Sequence, residues 1–455
     1  PNIMKKTISN LFKISLSIVL LYGCNLSSPE EIVDVSETSN VLSIPAGFDF
    51  STHQKVTINI VENAAYAKYD VYAYSDVSVK TPTESELAGK LVFSGVPSNG
   101  VLKQTISLPT YYTKVYIRRN ENQNISVTAK DILNQEVNFN STEAKSTIQT
   151  TSSKSSADID SDGDGVLDQD DAYPNDPEKA FNFFTPSIEG SGILAFEDLW
   201  PSTGDYDFND VALRYQSVVY LNAAGLAVGF DFKYQIISNR AGSYNGIGFE
   251  IEGIAPSQIE SVTEPILTID FIKLNPNGTE AGQENAVIIL TDAIRNTRVG
   301  ADFILRTVSV KFVNPISTSD LGVAPFNPFL ISNLYSNTQV FEKVRDHEVH
   351  LPNMKPTSLG VLLRGKEDPD GRYISQSGYP WALSIIEYSV SIEDVMLREA
   401  DTTNANEKTY FTVPKDTIAI TRAYNFFKTW AESGGSEYKN WYTNGSGFRN
   451  ESLLQ

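Results

Sequence analysis

Nine carboxylates and no lysine or arginine fall within Asp158–Glu178, DIDSDGDGVLDQDDAYPNDPE. A folded core cannot take in such a run bare, because buried like charges oppose one another and burial penalises each of them. The stretch must either stay in water or close around a cation. With Asp160 at position 1 of a loop, Asp162 and Asp164 fall at 3 and 5, and Gly165 at 6. The Val166 carbonyl then stands at 7, Asp168 at 9 and Asp171 at 12. This is the EF-hand ladder, with glycine where the backbone turns sharply and Asp in place of the closing Glu. Hard oxygen donors at alternating positions suit Ca²⁺, which takes about six to eight of them. A solvated acidic linker is the plainer alternative, but five ligand-type side chains in register with the glycine argue for the cation. Ser and Thr, not an amphipathic helix, precede the loop. The expectation is a structural clasp, not a sensor hand.

The net charge of −20 points the same way, and deleting residues 1–23 removes three lysines and no acid, leaving −23. That balance argues against nucleic acid, whose phosphates it would repel. Cys24 is the only cysteine, so no intramolecular disulfide can form, and metal can do the cross-linking in its place. Lys5 and Lys6 precede an apolar run from Ile14 to Tyr22, which ends in Gly23-Cys24. A basic start and a short apolar run make a secretory leader, too short to span a bilayer. Its end resembles a bacterial lipobox, with Cys24 lipidated as the mature N-terminus. Asn25 is not the aspartate of inner-membrane retention, and Glu30-Glu31 resembles an acidic surface-export signal. The expectation is a surface-exposed outer-membrane lipoprotein.

After a polar tether at 24–40, alternation sets in. Val56, Ile58 and Ile60 alternate with polar neighbours, and comparable runs follow at 69–74, 90–93, 101–108, 114–118 and 124–129. Short strands without helical periodicity predict a β-sandwich over 41–140. Ten of the seventeen residues at 141–157 are Ser or Thr, which reads as a linker, with the calcium loop at 158–180 as a collar. From 181 to 455 a larger antiparallel β domain is expected. Its centre is a hairpin: Val211, Leu213 and Tyr215 lead to a turn at 222–225 and a return through Val228–Ile236. Further strands are expected at 246–251, 286–290, 307–313, 358–363 and 381–386. One helix is expected over Thr417–Glu432, stopped by Gly434-Gly435. The fold class is mainly β.

A second acidic group lies just ahead of the hairpin: Glu197, Asp198, Asp205, Asp207, Asn209 and Asp210. Read as one strand, Asp205, Asp207 and Asn209 share a face and could hold a second Ca²⁺. Turn-forming Asx residues are the alternative. His347 and His350 flank an acid as in a zinc protease, but one residue short of the helical spacing. They read as ordinary histidines. No nucleophile elbow, P-loop or dinucleotide fingerprint occurs, and no carboxylate pair stands out as a glycosidase acid and base.

The stretch FEDLWPSTGDYDFNDVAL (Phe196–Leu213) resembles the signature of the LruC-domain family of bacterial lipoproteins. So do PAGFDFST (Pro45–Thr52), AGSYNGIGFEI (Ala241–Ile251), FNPF (Phe326–Phe329), HEVHLPNMKPT (His347–Thr357), YPWAL (Tyr379–Leu383) and FFKTWAESGG. The acidic loop is similar to thrombospondin type-three calcium repeats. The resemblance implies a cell-envelope lipoprotein and brings no catalytic residues with it. The reading is a calcium-stabilised surface module that binds a glycan or an envelope protein without chemistry. A polysaccharide hydrolase and a subunit of a surface fibre are the rivals.

Overall fold

A computed structural model describes residues 41–73, 87–122, 124–143, 159–269, 271–300, 302–332, 345–388, 391–392 and 411–455. Cys24, the tether and most of the Ser/Thr-rich linker lie outside the described residues. The N-terminal strands are β1 (His53–Val61), β2 (Lys68–Tyr72), β3 (Leu91–Gly95), β4 (Val101–Pro109), β5 (Lys114–Glu121), β6 (Asn124–Asp131) and β7 (Glu136–Asn140). After the acidic loop come β8 (Phe181–Thr185), β9 (Ser191–Phe196), β10 (Val211–Leu221), β11 (Ala227–Ser238), β12 (Gly246–Ile251) and β13 (Ile259–Thr263). The remainder are β14 (Ala286–Thr291), β15 (Arg306–Ile316), β16 (Asn327–Ile331), β17 (Glu348–His350) and β18 (Ala382–Glu387). The fold is mainly β.

Among the described residues three sheets form: β4-β1-β7, β14-β12-β16-β17, and a large one running β13-β15-β11-β10-β8-β3-β2-β5-β6. The expected hairpin is the backbone of the large sheet, with Tyr215 opposite Tyr234. One edge of β10 is long enough for two neighbours. Residues 217–221 pair with β8 and 211–215 with β9, which in turn pairs with β18.

The expected boundary between an independent N-terminal sandwich and a larger domain is corrected by this topology. Strands from both sides enter one sheet through Phe93 opposite Phe183. Val56, Ile58 and Ile60 of β1 belong to the same buried cluster as Phe183, Leu213 and Phe232. Residues 41–455 form one compact unit. Apolar side chains alternating along short strands leave faces that neither half buries alone, and sharing the core solves that.

The strands β9, β10 and β18 are buried on both faces. Leu194, Phe196, Val211 and Leu213 face the main core, while Ile193, Ala195, Ala212 and Ile385 face a second core. That second core is aromatic, built on Phe411, Tyr424, Phe427, Trp430 and Trp441. The single C-terminal helix expected there is broken into α2 (Ile420–Ala423) and α3 (Phe427–Glu432), which follow the short helix α1 (Thr318–Leu321). Tyr424 is extended, at φ −119°. Its hydroxyl donates to the Thr412 carbonyl, and the Thr412 N–H donates back to it. Asn425 N–H is drawn to the Phe448 carbonyl. The expected strand at 358–363 is not formed: 358–359 make a turn, with Gly360 N–H donating to the Thr357 carbonyl, and 360–363 are irregular. Among the described residues no helix is long and apolar enough to cross a membrane.

One ion pair is sealed between these layers. Arg214 is 1% exposed and donates to Glu387 at 3.0 Å, to Ser191 Oγ and to the Phe411 carbonyl. Removing one partner of such a pair strands the other charge. Arg214→Leu is expected to cost roughly 3–5 kcal/mol in chemical denaturation. The double variant Arg214→Leu/Glu387→Leu should recover much of that. A loss below about 1 kcal/mol for the single variant would show that the pair does not fasten the layers.

Candidate functional site

Each of two acidic loops gathers its own carboxylates, and they do so by different means. In the first, Gly163 and Gly165 take φ values of +79° and +97°, a conformation other residues resist. Each aspartate then turns back on its own backbone. Asp160 accepts from the N–H groups of Gly163 at 2.7 Å and Gly165 at 3.0 Å. Asp162 accepts from Asp164 N–H, Asp164 from Val166 N–H, and Asp171 from Tyr173 N–H. These bonds use one oxygen each from Asp162, Asp164 and Asp171. The other oxygen of each is buried and has no hydrogen-bond partner. Ligand atoms of Asp160, Asp162 and Asp164 lie within 4.8 Å of one another.

Asp171 is pushed up to about 6, first by burial and then by Asp164, Asp162 and Asp168, against the bond from Tyr173. Asp164 is raised by burial, with Asp162 and Asp160 adding to it. Buried acceptor oxygens that find no donor are costly, and a hard divalent cation removes the cost at a stroke. Asp168 is placed otherwise. Both its oxygens are taken by Ser161, from N–H and hydroxyl at 2.7 Å each. It staples the loop closed, in keeping with a ninth position that often reaches the ion only through water.

The loop is no loose collar. Val166 is 2% exposed and belongs to the main core. Asp170 accepts from the Tyr66 hydroxyl at 3.1 Å, in the connection from β1 to β2, and from the Asn120 amide of β5 at 3.2 Å. It is docked, so whatever fills it braces the surrounding strands.

The second loop departs from its expected form. Residues 203–207 and 209 carry no strand, and Tyr206 and Phe208 have φ of +57° and +55°. Asp205, Asp207 and Asn209 therefore share no strand face. The chain instead curls around Glu197, just past the end of β9 and 0% exposed. Its carboxylate accepts from Phe208 N–H at 2.6 Å and Tyr206 N–H at 3.2 Å. The curl is held by Tyr206 and Phe208, whose rings sink into the second core. Gly204 is required there, because a Cβ would lie 2.4 Å from Glu197 Oε2.

Glu197, Asp205 and Asp207 bring ligand atoms within 4.8 Å of one another. Asp207 also accepts from Asn209 N–H and Thr417 N–H. The other three residues go elsewhere. Asp210 accepts from Asp198 N–H at 2.9 Å, Asp198 accepts from the Asn245 amide, and Asn209 donates its amide to the Pro414 carbonyl. Burial, then Asp210, holds Glu197 well above the carboxylate range, even against the Phe208 bond. Burial also lifts Asp207 to about 6 and, with Asp198, Asp210 to about 8. An oxygen-only donor set with excess negative charge fits calcium in both loops. Asn245 and Thr417 escaped the sequence reading. Asn245 lies in AGSYNGIG, one of the distinctive stretches, whereas nothing local marks Thr417.

His350 is 0% exposed, with Nδ1 2.8 Å from Asn327 Oδ1 and Nε2 3.0 Å from Glu348 Oε2. Both ring nitrogens are committed, so the histidine pair offers no zinc site. Burial raises Glu348, but His350, Arg345 and Thr357 outweigh it and bring the carboxyl down to about 2.

Calcium is expected to raise the melting temperature of the chelated protein. Extracellular modules bind at roughly 0.1–1 mM. Ten times the dissociation constant contributes about 1.4 kcal/mol per site, on the order of 2 °C for a chain this size. Asp162→Asn should remove one increment and Asp205→Asn the other, by differential scanning calorimetry. An undiminished shift in both variants would place the calcium elsewhere.

The model of a domain of unknown function, DUF4842, matches residues 225–442. That span takes in the return strand β11 and ends at the aromatic core, past both acidic loops. No curated protein matches the chain. Among solved structures, a Bacteroides ovatus protein designated a lipoprotein is similar at 14% identity and a TM-score of 0.44, over 85% of this chain and 98% of its own.

Proposed function

We propose that this chain is a lipid-anchored cell-surface protein, stabilised by calcium, that works by binding a glycan or an envelope protein. The observation that carries the calcium part is the set of partnerless buried oxygens on Asp162, Asp164 and Asp171. They sit in a loop locked to the core by Val166. Asp160, Asp162, Asp164 and Asp171 would hold one ion, with the Val166 carbonyl completing the ladder, and Glu197, Asp205 and Asp207 a second. A bound cation neutralises the carboxylates and converts a self-repelling chain into a fixed joint. Nothing else is asked of it.

The anchor rests on the leader: basic residues, a short apolar run and Gly23-Cys24. One acyl chain holds a protein only marginally, whereas the several chains of a bacterial lipoprotein hold it firmly. The binding role rests on how the acids and histidines are used. Among the described residues the carboxylates with raised pKa values lie in the two acidic stretches, except Glu387, which is paired with Arg214, and His350 is sealed between Asn327 and Glu348.

Cys24→Ser is expected to move the protein from the membrane fraction to the soluble one. Retention through salt and carbonate washing would sink the lipid anchor. Polysaccharide, ester and peptide substrates should give no turnover above a heat-treated control. Turnover abolished by one Asp or Glu substitution outside both acidic loops would favour a hydrolase.

A further inference from the structure

A cavity of about 250 Å³ opens between β1, β4, β18 and two loops, 323–326 and 351–354. Polar atoms in its lining have nothing to bond. Ser107 Oγ, on a residue 4% exposed, and His53 Nδ1 are both buried without a hydrogen-bond partner. Native structures leave few such groups, and each calls for an account. Two phenylalanines in the lining, Phe50 and Phe326, carry φ of +57° and +65°. Bulky residues resist that region, and such strain gathers at ligand sites. The walls are tied together far from any local contact, as Thr52 hydroxyl donates to the Ser384 carbonyl at 2.8 Å. Tyr388 hydroxyl donates to the Ser107 carbonyl.

The lining narrows the ligand. Phe50, Phe326, Pro325, Leu351, Pro352 and Met354 give it an apolar body. At its exposed mouth stand one acid, Asp49, and one base, Lys55, so neither sign of charge is favoured. Burial holds the His53 imidazole down to about 4, against Asp49 and assisted by Lys55, which leaves it neutral, one nitrogen donating and the other accepting. The hydroxyls of Ser107 and Ser384 can also do either. A purely apolar guest would leave Ser107 and His53 unsatisfied. A charged guest would meet no counter-ion inside. The volume falls below the roughly 300–1,000 Å³ of sites for drug-sized molecules.

We infer that this pocket takes one neutral sugar residue, the end or a branch of a glycan, with its C–H face on Phe326, Leu351 and Met354 and its hydroxyls on His53 and Ser107. This rests on the binding reading given above, and names the place and the ligand class within it.

The test is titration calorimetry of the full chain, calcium present, with glucose, galactose and N-acetylglucosamine, alongside binding to immobilised polysaccharides. At least one of the three sugars should bind. His53→Phe keeps the ring and removes its nitrogens. It should weaken binding about tenfold, roughly the worth of one hydrogen bond, without lowering the melting temperature, because an orphaned polar group is lost. Ser107→Val should do the same by filling the space. A sugar that binds both variants as it binds the parent would overturn the pocket assignment. So would polysaccharide binding without any binding of the three sugars, which leaves the binding reading standing. Binding of neither sugar, polysaccharide nor envelope protein would sink both.

Discussion

Everything in this fold leans on β10, whose residues 211–219 are all buried. A strand covered on both faces needs two cores, and the chain supplies them from opposite ends. The main core draws on β1 and the hairpin, and the second on the C-terminal aromatics. The stretch just before the strand, Pro201–Asp210, consequently emerges from the seam between layers. Tyr206 and Phe208 are claimed by the second core, their N–H groups are turned inward onto Glu197, and the Asp207 carboxylate between them is buried. The burial that pins the loop is thus also what leaves its charge uncompensated.

The same logic governs the first acidic loop from the other side. Val166 and Asp170 dock it on the N-terminal strands. Its polypeptide satisfies itself through short turns back to N–H groups, which spends both oxygens of Asp160 but only one each of Asp162, Asp164 and Asp171, and leaves the second oxygen of those three buried without a partner. In a chain with a single cysteine, an ion bound here does for the joint between strands what a disulfide does elsewhere.

What could be read from the sequence was what repeats locally. The two-residue period of Val211, Leu213 and Tyr215 announced the hairpin, and the spacing of Asp160, Asp162 and Asp164 announced a loop whose oxygens converge. Distant partners decided what could not be read. The helix over Thr417–Glu432 has good periodicity, but Tyr424 prefers a bond to Thr412. The run from Asp205 to Asn209 alternates like a strand, but its aromatic residues are drawn into a core assembled by residues some two hundred positions later. Domain limits failed for that reason too, since a Ser/Thr-rich linker says nothing of whether its two flanks share a sheet. The pocket beside His53 joins β1 to β18, a separation of more than three hundred residues, and no local pattern marks it.

The account turns on cations in the two loops, and anomalous scattering from crystals grown in calcium looks at them directly. It predicts one peak among Asp160, Asp162, Asp164 and Asp171 and another among Glu197, Asp205 and Asp207, each ringed by oxygens at about 2.3–2.6 Å. Carboxylates bridged only by waters or by shared protons, with no peak in either loop at millimolar calcium, would contradict it.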